Sequence, residues 1–170
     1  VPGSWVGRAA RVGGAGARGH VRPWVKAGGL NDMNGPCADQ SGKGSVVAAQ
    51  MAAEDFAGMG PAGFKVEILS ADHLNKPDVA VQIVRQWVDQ DGVDAVADSV
   101  NSGVGFAVNQ VMAEKHRTFL ATNVGSSDLT GKFCQPTTVQ WTVASWALGR
   151  SAAPAVRKVG GDHGYFISSD

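Results

Sequence analysis

"KPDVAVQIVRQWVDQDGVDAVADSVNSGVGFAVNQVMAEKHRTFLAT", residues 76–122, switches twice between helical and extended patterning. Pro77 suits the first turn of a helix, where its missing N–H would have had no partner. Ala80, Ile83, Val84, Trp87 and Val88 then fall on one stripe, and Gly92 ends the run. "VDAVAD" (93–98) reads as a short buried strand. "SGVGFAVNQVMAEKH" (102–116) returns to helical period, with Val104, Val108, Val111 and Met112 inward. "TFLAT" (118–122) is extended again. Such alternation at short spacing predicts a parallel sheet with helical crossovers.

The same rhythm continues on both sides. Upstream, "VKAGGL" (25–30) reads as a strand, and "SVVAAQMAAEDFAG" (45–58) as a helix. That helix places Val46, Ala49, Ala53, Phe56 and Ala57 on one face. "FKVEIL" (64–69) is the next strand. Downstream, "VASWALGRSAAPAVRKVGG" (143–161) reads as a helix that Pro154 kinks or breaks. "YFIS" (165–168) reads as the start of a fifth strand. The expected fold class is α/β, a three-layer sandwich with a mainly parallel sheet.

In such sheets ligands bind beyond the carboxyl ends of the strands. That selects the loops 31–45, 98–104 and 122–130. The first, "NDMNGPCADQSGKGS", imitates a phosphate loop. However, six residues separate Gly35 from Gly42-Lys43 where four are needed, and Gly44 replaces the metal-binding hydroxyl. In the second, "DSVNSGVG", Asn101 or Ser102 caps a helix whose free N–H groups suit a small anion. A plain N-cap explains the same residues. The third, "TNVGSSDLTG", offers Asn123, Gly125, Ser126 and Ser127 to an ammonium or hydroxyl group, or forms ordinary turns. Asp39, Asp98 and Asp128 lie on this edge without an evident His or Lys beside them. No Ser/His/Asp set, close carboxylate pair or metal spacing emerges, so no catalytic residue, metal or cofactor is expected. The edge reads as built to hold a solute, not to transform one.

The 170 residues suffice for one domain or slightly more, and 44% apolar content suits a globular core. There is no apolar run of about eighteen residues to span a membrane. Net charge is zero, but residues 1–26 carry Arg8, Arg11, Arg18, Arg22 and Lys26 and no acid. The remainder is thus acidic and has no basic stripe for nucleic acid. Residues 1–24 read as a disordered basic leader, without the apolar centre of a secretory signal. Their GxGxxG (14–19) lacks the flanking strand and helix of a dinucleotide fingerprint. Cys37 and Cys134 are either bridged or two free thiols.

Three stretches carry a resemblance: "NDMNGPCADQSGKGSVVAAQMAAEDFAG", "SADHLNKPDVAVQIVRQWVDQDGVDAVADSVNSGVGFAVNQVMAEK" and "SSDLTGKFCQPTTVQWT". In order and spacing they resemble the amino-terminal lobe of type I periplasmic solute-binding proteins, in the branched-chain amino acid group that serves ABC importers. The likeness covers about residues 25–170. It implies a truncated first lobe whose second lobe, absent here, closes over the ligand like a hinge. It also implies docking of the loaded protein on a membrane permease, and a periplasmic or extracellular location. A signal peptide is usual in the family and is not visible in this chain.

By position, Ser102, beside Asn101, matches the helix-cap serine that holds the amino acid carboxylate. Asn123, Val124 and Gly125 match the backbone and small side chains of the next loop. Gln40 falls where relatives place an aromatic ring over the ligand, and Cys37 replaces an aromatic or aliphatic residue. "QWTVASWALG" lacks the tyrosine-acid pair usual after the Trp. These departures separate the chain from the standard branched-chain amino acid pattern. The competing readings are a nucleotide-using Rossmann-like or flavodoxin-like enzyme domain and a receptor's ligand-sensing domain. A nucleotide enzyme should show a glycine fingerprint after the first strand, which "GGLNDMNGPC" lacks.

Overall fold

The computed structural model describes residues 24–59 and 65–165. The elements follow as β1 (Trp24–Asn31), α1 (Gly42–Met59), β2 (Lys65–Asp72), α2 (Pro77–Gln86), β3 (Ala95–Asp98), α3 (Ser102–Glu114), β4 (Thr118–Ala121), β5 (Thr138–Gln140) and α4 (Ser145–Lys158). All strand pairs are parallel, in the order β2-β1-β3-β4-β5. Among the described residues no helix is long and apolar enough to cross a membrane.

The strand order fixes the layers. From β1 the chain crosses to β2 on one side, then returns past β1 to β3 on the other. Right-handed crossovers in opposite directions put their helices on opposite faces. Hence α1 lies on one face, while α2 and α3 share the other. The core lies under α2 and α3. Leu30, Val96, Phe119 and Ala121 from the strands meet Ala80, Val84, Val104, Val108 and Met112 from the helices, all fully buried. The α2 stripe is the one its periodicity predicts, and so is that of α3.

One close approach seats α2. The helix ends in a single wide turn (Trp87–Asp91) and is capped by Gly92 in the left-handed conformation, φ 70°. This turn lays the buried Trp87 ring on β1. A Cβ at Gly28 would stand 2.3 Å from Trp87 Cζ3.

The structure corrects several expectations. Trp24, grouped with the leader, opens β1; residues 1–23, with the expected leader and its GxGxxG, lie outside the described residues. α1 begins at Gly42, and of its expected inward face Val46, Ala49 and Ala53 are only half-buried. Phe56 and Ala57 are exposed, and among the described residues no other helix packs on α1. The fifth strand is residues 138–140. Tyr165 is 96% exposed and outside any strand, and residues 166–170 lie outside the described residues. α4 runs through Pro154 unbroken, with no buried residue. Cys37 and Cys134 are free.

We expect Gly28→Ala to destabilise the fold by about 1–3 kcal/mol, the range for overpacking a filled core. Trp87→Leu in the same chain should recover part of that loss. Urea unfolding midpoints measure both; an unchanged midpoint for Gly28→Ala would remove the contact from the argument.

Candidate functional site

The winding direction reverses between β1 and β3. Their carboxyl ends therefore diverge into loops on opposite faces and leave a crevice, the usual ligand position in open α/β sheets. The loops 31–41, 98–101 and 122–126 surround it.

The first loop folds around its own acid. Asp32 is fully buried; its Oδ1 accepts from the Gly35 N–H at 2.9 Å and its Oδ2 from the Cys37 N–H at 2.9 Å. The backbone donors that an incoming phosphate would need are thus taken by a carboxylate of the chain. Asn31 Nδ2 donates to the Gly42 carbonyl at 2.8 Å, tying the end of β1 to the start of α1. Gly42-Lys43 is simply the first turn of a helix.

In the second loop, Asn101 rather than Ser102 is the N-cap. Its Oδ1 accepts from Val104 N–H at 3.1 Å, and Ser102 is the first helical residue. Ser102 is half-buried, and among the described residues its hydroxyl has no partner. The Ser102 and Gly103 N–H groups of the first turn remain available beside it.

The third loop is held from behind. Gln140 Nε2, on β5, donates to the carbonyls of Val124 at 2.7 Å and Ser126 at 3.0 Å. The Ser145 N–H donates to the Gly125 carbonyl at 2.7 Å. Among the described residues nothing accepts from the N–H groups of Asn123, Val124 and Gly125. The Val124 side chain is fully buried against α3, where a Cβ on Gly105 would stand 2.6 Å from Val124 Cγ2. Val124 can therefore offer a ligand only its backbone. Ser126 and Ser127 are occupied by turn bonding, to the Asp128 and Trp146 N–H groups respectively.

Of the six residues expected at the site, Gln40 and Asn123 are joined by a 3.3 Å hydrogen bond from Gln40 Nε2 to Asn123 Oδ1. Asn101 and Ser102 stand together at the start of α3, and Val124 and Gly125 follow Asn123. Asp39 and Asp128 are exposed at the rim, the latter 3.4 Å from Lys132.

Sequence reasoning missed the polar floor of the crevice. Asn31, Ser41, His73, Asp98 and Ser99 are all buried, and each has a polar side-chain atom without a protein partner. Unpaired buried groups cluster where proteins bind or react. Asp98 and Ser99 have φ of 80° and 75°, left-handed values that cost side-chain-bearing residues roughly 1–2 kcal/mol each. Ser99 still reaches back to the Leu30 carbonyl at 3.1 Å, so the strain is held by the sheet. Among the described residues no three His, Cys, Asp or Glu side chains gather as a metal site.

His73 is the buried histidine near Asp98 that the sequence did not reveal. Burial pushes its pKa down; the charges of Asp32, Asp72 and Asp98 offset this only in part. Its Nδ1 accepts from the Asn75 N–H at 3.0 Å, which assigns the proton of the neutral ring to Nε2. Burial pushes Asp98 up, against hydrogen bonds from Ser45 and Thr122. Asp72 is pulled down: burial raises it, but the Leu74 and Met33 N–H groups and the Asn34 amide outweigh that.

These features define a sheet-edge binding crevice of polar, mostly uncharged donors. The family model described as periplasmic binding protein matches residues 24–170, and the chain belongs to that family. A periplasmic binding protein from Burkholderia mallei is 37% identical over 82% of this chain and 37% of its own, with a TM-score of 0.77. A branched chain amino acid ABC transporter periplasmic ligand-binding protein from Burkholderia xenovorans LB400 is 36% identical over 80% of this chain and 36% of its own, with a TM-score of 0.73. An ABC transporter solute binding protein from R. palustris in complex with benzoate, at 20% identity over 80% of this chain and 37% of its own, shares the fold with a TM-score of 0.71. The chain thus spans little more than a third of these structures' lengths. No curated protein matches it.

The His73 shift has a measurable sign. Its folded pKa lies below its unfolded value, so the native state binds fewer protons between the two. The contribution is complete above about pH 6.5 and declines as pH falls below it, by at most about 1.4 kcal/mol per pH unit. Asp98, raised by burial, acts with the opposite sign, but it is present in both proteins compared. Urea unfolding of wild type and His73→Asn at pH 7.5 and 5.5 should show the wild type losing more on acidification. Parallel pH profiles would contradict a buried neutral imidazole.

Proposed function

We propose that this chain is the amino-terminal lobe of a solute-capture protein serving an ABC importer, a binding protein and not an enzyme. The observation that carries the reading is two sets of free donors on adjoining segments, which meet where Val124 packs against Gly105 of α3. One is the start of α3, with the unpartnered Ser102 hydroxyl and the positive end of the helix dipole. The other is the run of unpartnered N–H groups at Asn123, Val124 and Gly125. Fixed donors facing one space suit a carboxylate. The solute is therefore an amino acid or another small carboxylate. Asn101 shapes the site through the cap, and Gln40 borders it through Asn123.

Several observations support a second lobe. α4 buries no residue and exposes Trp146, Leu148 and Val156, and Trp141 before it is 78% exposed. Apolar surface on that scale marks a place where more protein packs. The relatives named above are far longer than this chain. In the complete protein the second lobe closes over the solute, and the loaded form docks on a membrane permease from the periplasm or the cell exterior. The nucleotide-enzyme reading is disfavoured by Asp32, which fills the N–H cradle after β1 with its own carboxylate.

In a two-lobed chain, Ser102→Ala should weaken carboxylate binding by about 1–3 kcal/mol, the range for a hydrogen bond to a charged group. Unchanged affinity in calorimetry would end the role given to Ser102. The 170-residue chain alone leaves the donors facing water and cannot offset the cost of immobilising a solute. It should bind no tighter than about millimolar, near −4 kcal/mol. Micromolar binding by this chain as a monomer would mean that the site needs no second lobe.

A further inference from the structure

α4 starts without a cap of its own. The first turn of a helix leaves its N–H groups without helical partners, and Ala144, just before α4, has no side-chain oxygen to offer them. The loop after β4 supplies what is missing. The Ser145 N–H donates to the Gly125 carbonyl at 2.7 Å, and the Trp146 N–H to Ser127 Oγ at 2.8 Å. The bonding is reciprocal: the Ser127 N–H donates to Ser145 Oγ at 3.3 Å, and the two hydroxyls lie 3.1 Å apart. Among the described residues, Ser145 and Trp146 make every hydrogen bond that joins α4 to the sheet and its loops. Since α4 buries no residue, these bonds are its seat.

The seat is the solute-facing loop itself. A trans peptide points its C=O and N–H in opposite directions. Gln140 holds the Val124 carbonyl from β5, so the Gly125 N–H points away from Gln140. Ser145 holds the Gly125 carbonyl from α4, so the Ser126 N–H points away from α4. Among the described residues nothing accepts from the Ser126 N–H either. The two peptide planes meet at Gly125, which has no Cβ and turns more freely than any other residue. The sheet fixes one plane and α4 fixes the other. A shift of α4 therefore changes the angle between the Gly125 and Ser126 donors.

We propose that Ser127 is a positioning residue for the solute site: with Ser145 it fastens the start of α4 to the donor loop, so that the place of α4 sets the direction of the Gly125 and Ser126 donors. Ser127 needs no contact with solute in this role, because it acts through the helix. α4 is also the element whose exposed Trp146, Leu148 and Val156 offer a surface to a second lobe. The arrival of that lobe on α4 is then passed to the donors through the first turn of the helix.

The positioning role rests on the solute-capture reading, and two measurements separate them. In the first, the 170-residue chain, labelled with 15N, is compared without solute as wild type, Ser127→Ala, Ser127→Thr and Ser145→Pro. In Ser127→Ala the α4 amides should exchange with solvent about fivefold faster, as for a lost N-cap. The Gly125 and Ser126 amide resonances should move in the same variant. Ser127→Thr keeps the hydroxyl and should restore both. Proline suits a first helical position, and Ala144 already has the extended φ of −74° and ψ of 149° that precede one. Ser145→Pro should therefore keep α4 helical while freeing the Gly125 carbonyl, and the Gly125 and Ser126 resonances should move again. In the second measurement, calorimetry on a two-lobed chain, Ser127→Ala and Ser145→Pro should bind carboxylate about fivefold more weakly, the scale of one hydrogen bond, with Ser127→Thr near wild type. Gly125 and Ser126 resonances unmoved in Ser127→Ala and Ser145→Pro, a threonine variant that behaves like the alanine one, or unchanged affinity in a two-lobed chain that binds carboxylate would each overturn the proposal. Resonances that move as expected in a protein whose two-lobed form binds no carboxylate would confirm the link from α4 to the loop and overturn the capture reading instead.

Discussion

β1 has a partner on each side because the chain leaves it in one direction and comes back past it in the other. Everything else follows from that reversal. With right-handed crossovers, it sends α1 to one face and α2 and α3 to the other. It gives one face two packed helices and the other a single, half-covered helix. It also separates the loops after β1 and β3, which is where polar groups can be held out of water without being fully paired. Gly28 belongs to the same constraint: β1 must let Trp87 lie directly on it.

Where a pattern in the sequence corresponds to burial, it was readable. The stripes Ala80–Val84–Trp87 and Val104–Val108–Val111–Met112 became the core, and the strands between them fell within a residue or two of their expected limits. α1 was less readable, since its apolar face is only partly covered and Phe56 ends up exposed. β5 was missed for another reason. It is three residues long and its pairing is supported by side chains, with Thr138 donating to Asn109 Oδ1 and Gln140 bracing the loop after β4. No hydrophobic rhythm announces such a strand, and the apolar "YFIS" drew the assignment instead.

The site was legible in position but only partly in chemistry. Strand ends in an α/β pattern located the three loops, and helix-start logic placed Asn101 and Ser102. That Asn101 is the cap, that Val124 is buried, and that Asp32 closes its own loop depend on geometry invisible in spacing. The buried polar groups of His73 and Asp98 come from residues 25 apart, and the Gln40–Asn123 bond joins two loops. Strain at Asp98 and Ser99 has no sequence signature either, because neither is a glycine. These are the places where local rules are broken, and they surround the crevice rather than the core.

The interior position of β1 also has a kinetic meaning. The Lys26 N–H finds its partner in Asp94, 68 residues later. A nascent chain therefore makes this interior strand before either of its neighbours and completes its hydrogen bonding much later. Until β3 is synthesised, β1 with its Gly28-Gly29 pair has only β2 beside it and presents an open edge. Loop-closure entropy over such separations slows folding, and exposed parallel edges attract other chains. For this topology, the interval between the emergence of β2 and that of β3 is when the growing polypeptide most needs protection from its neighbours.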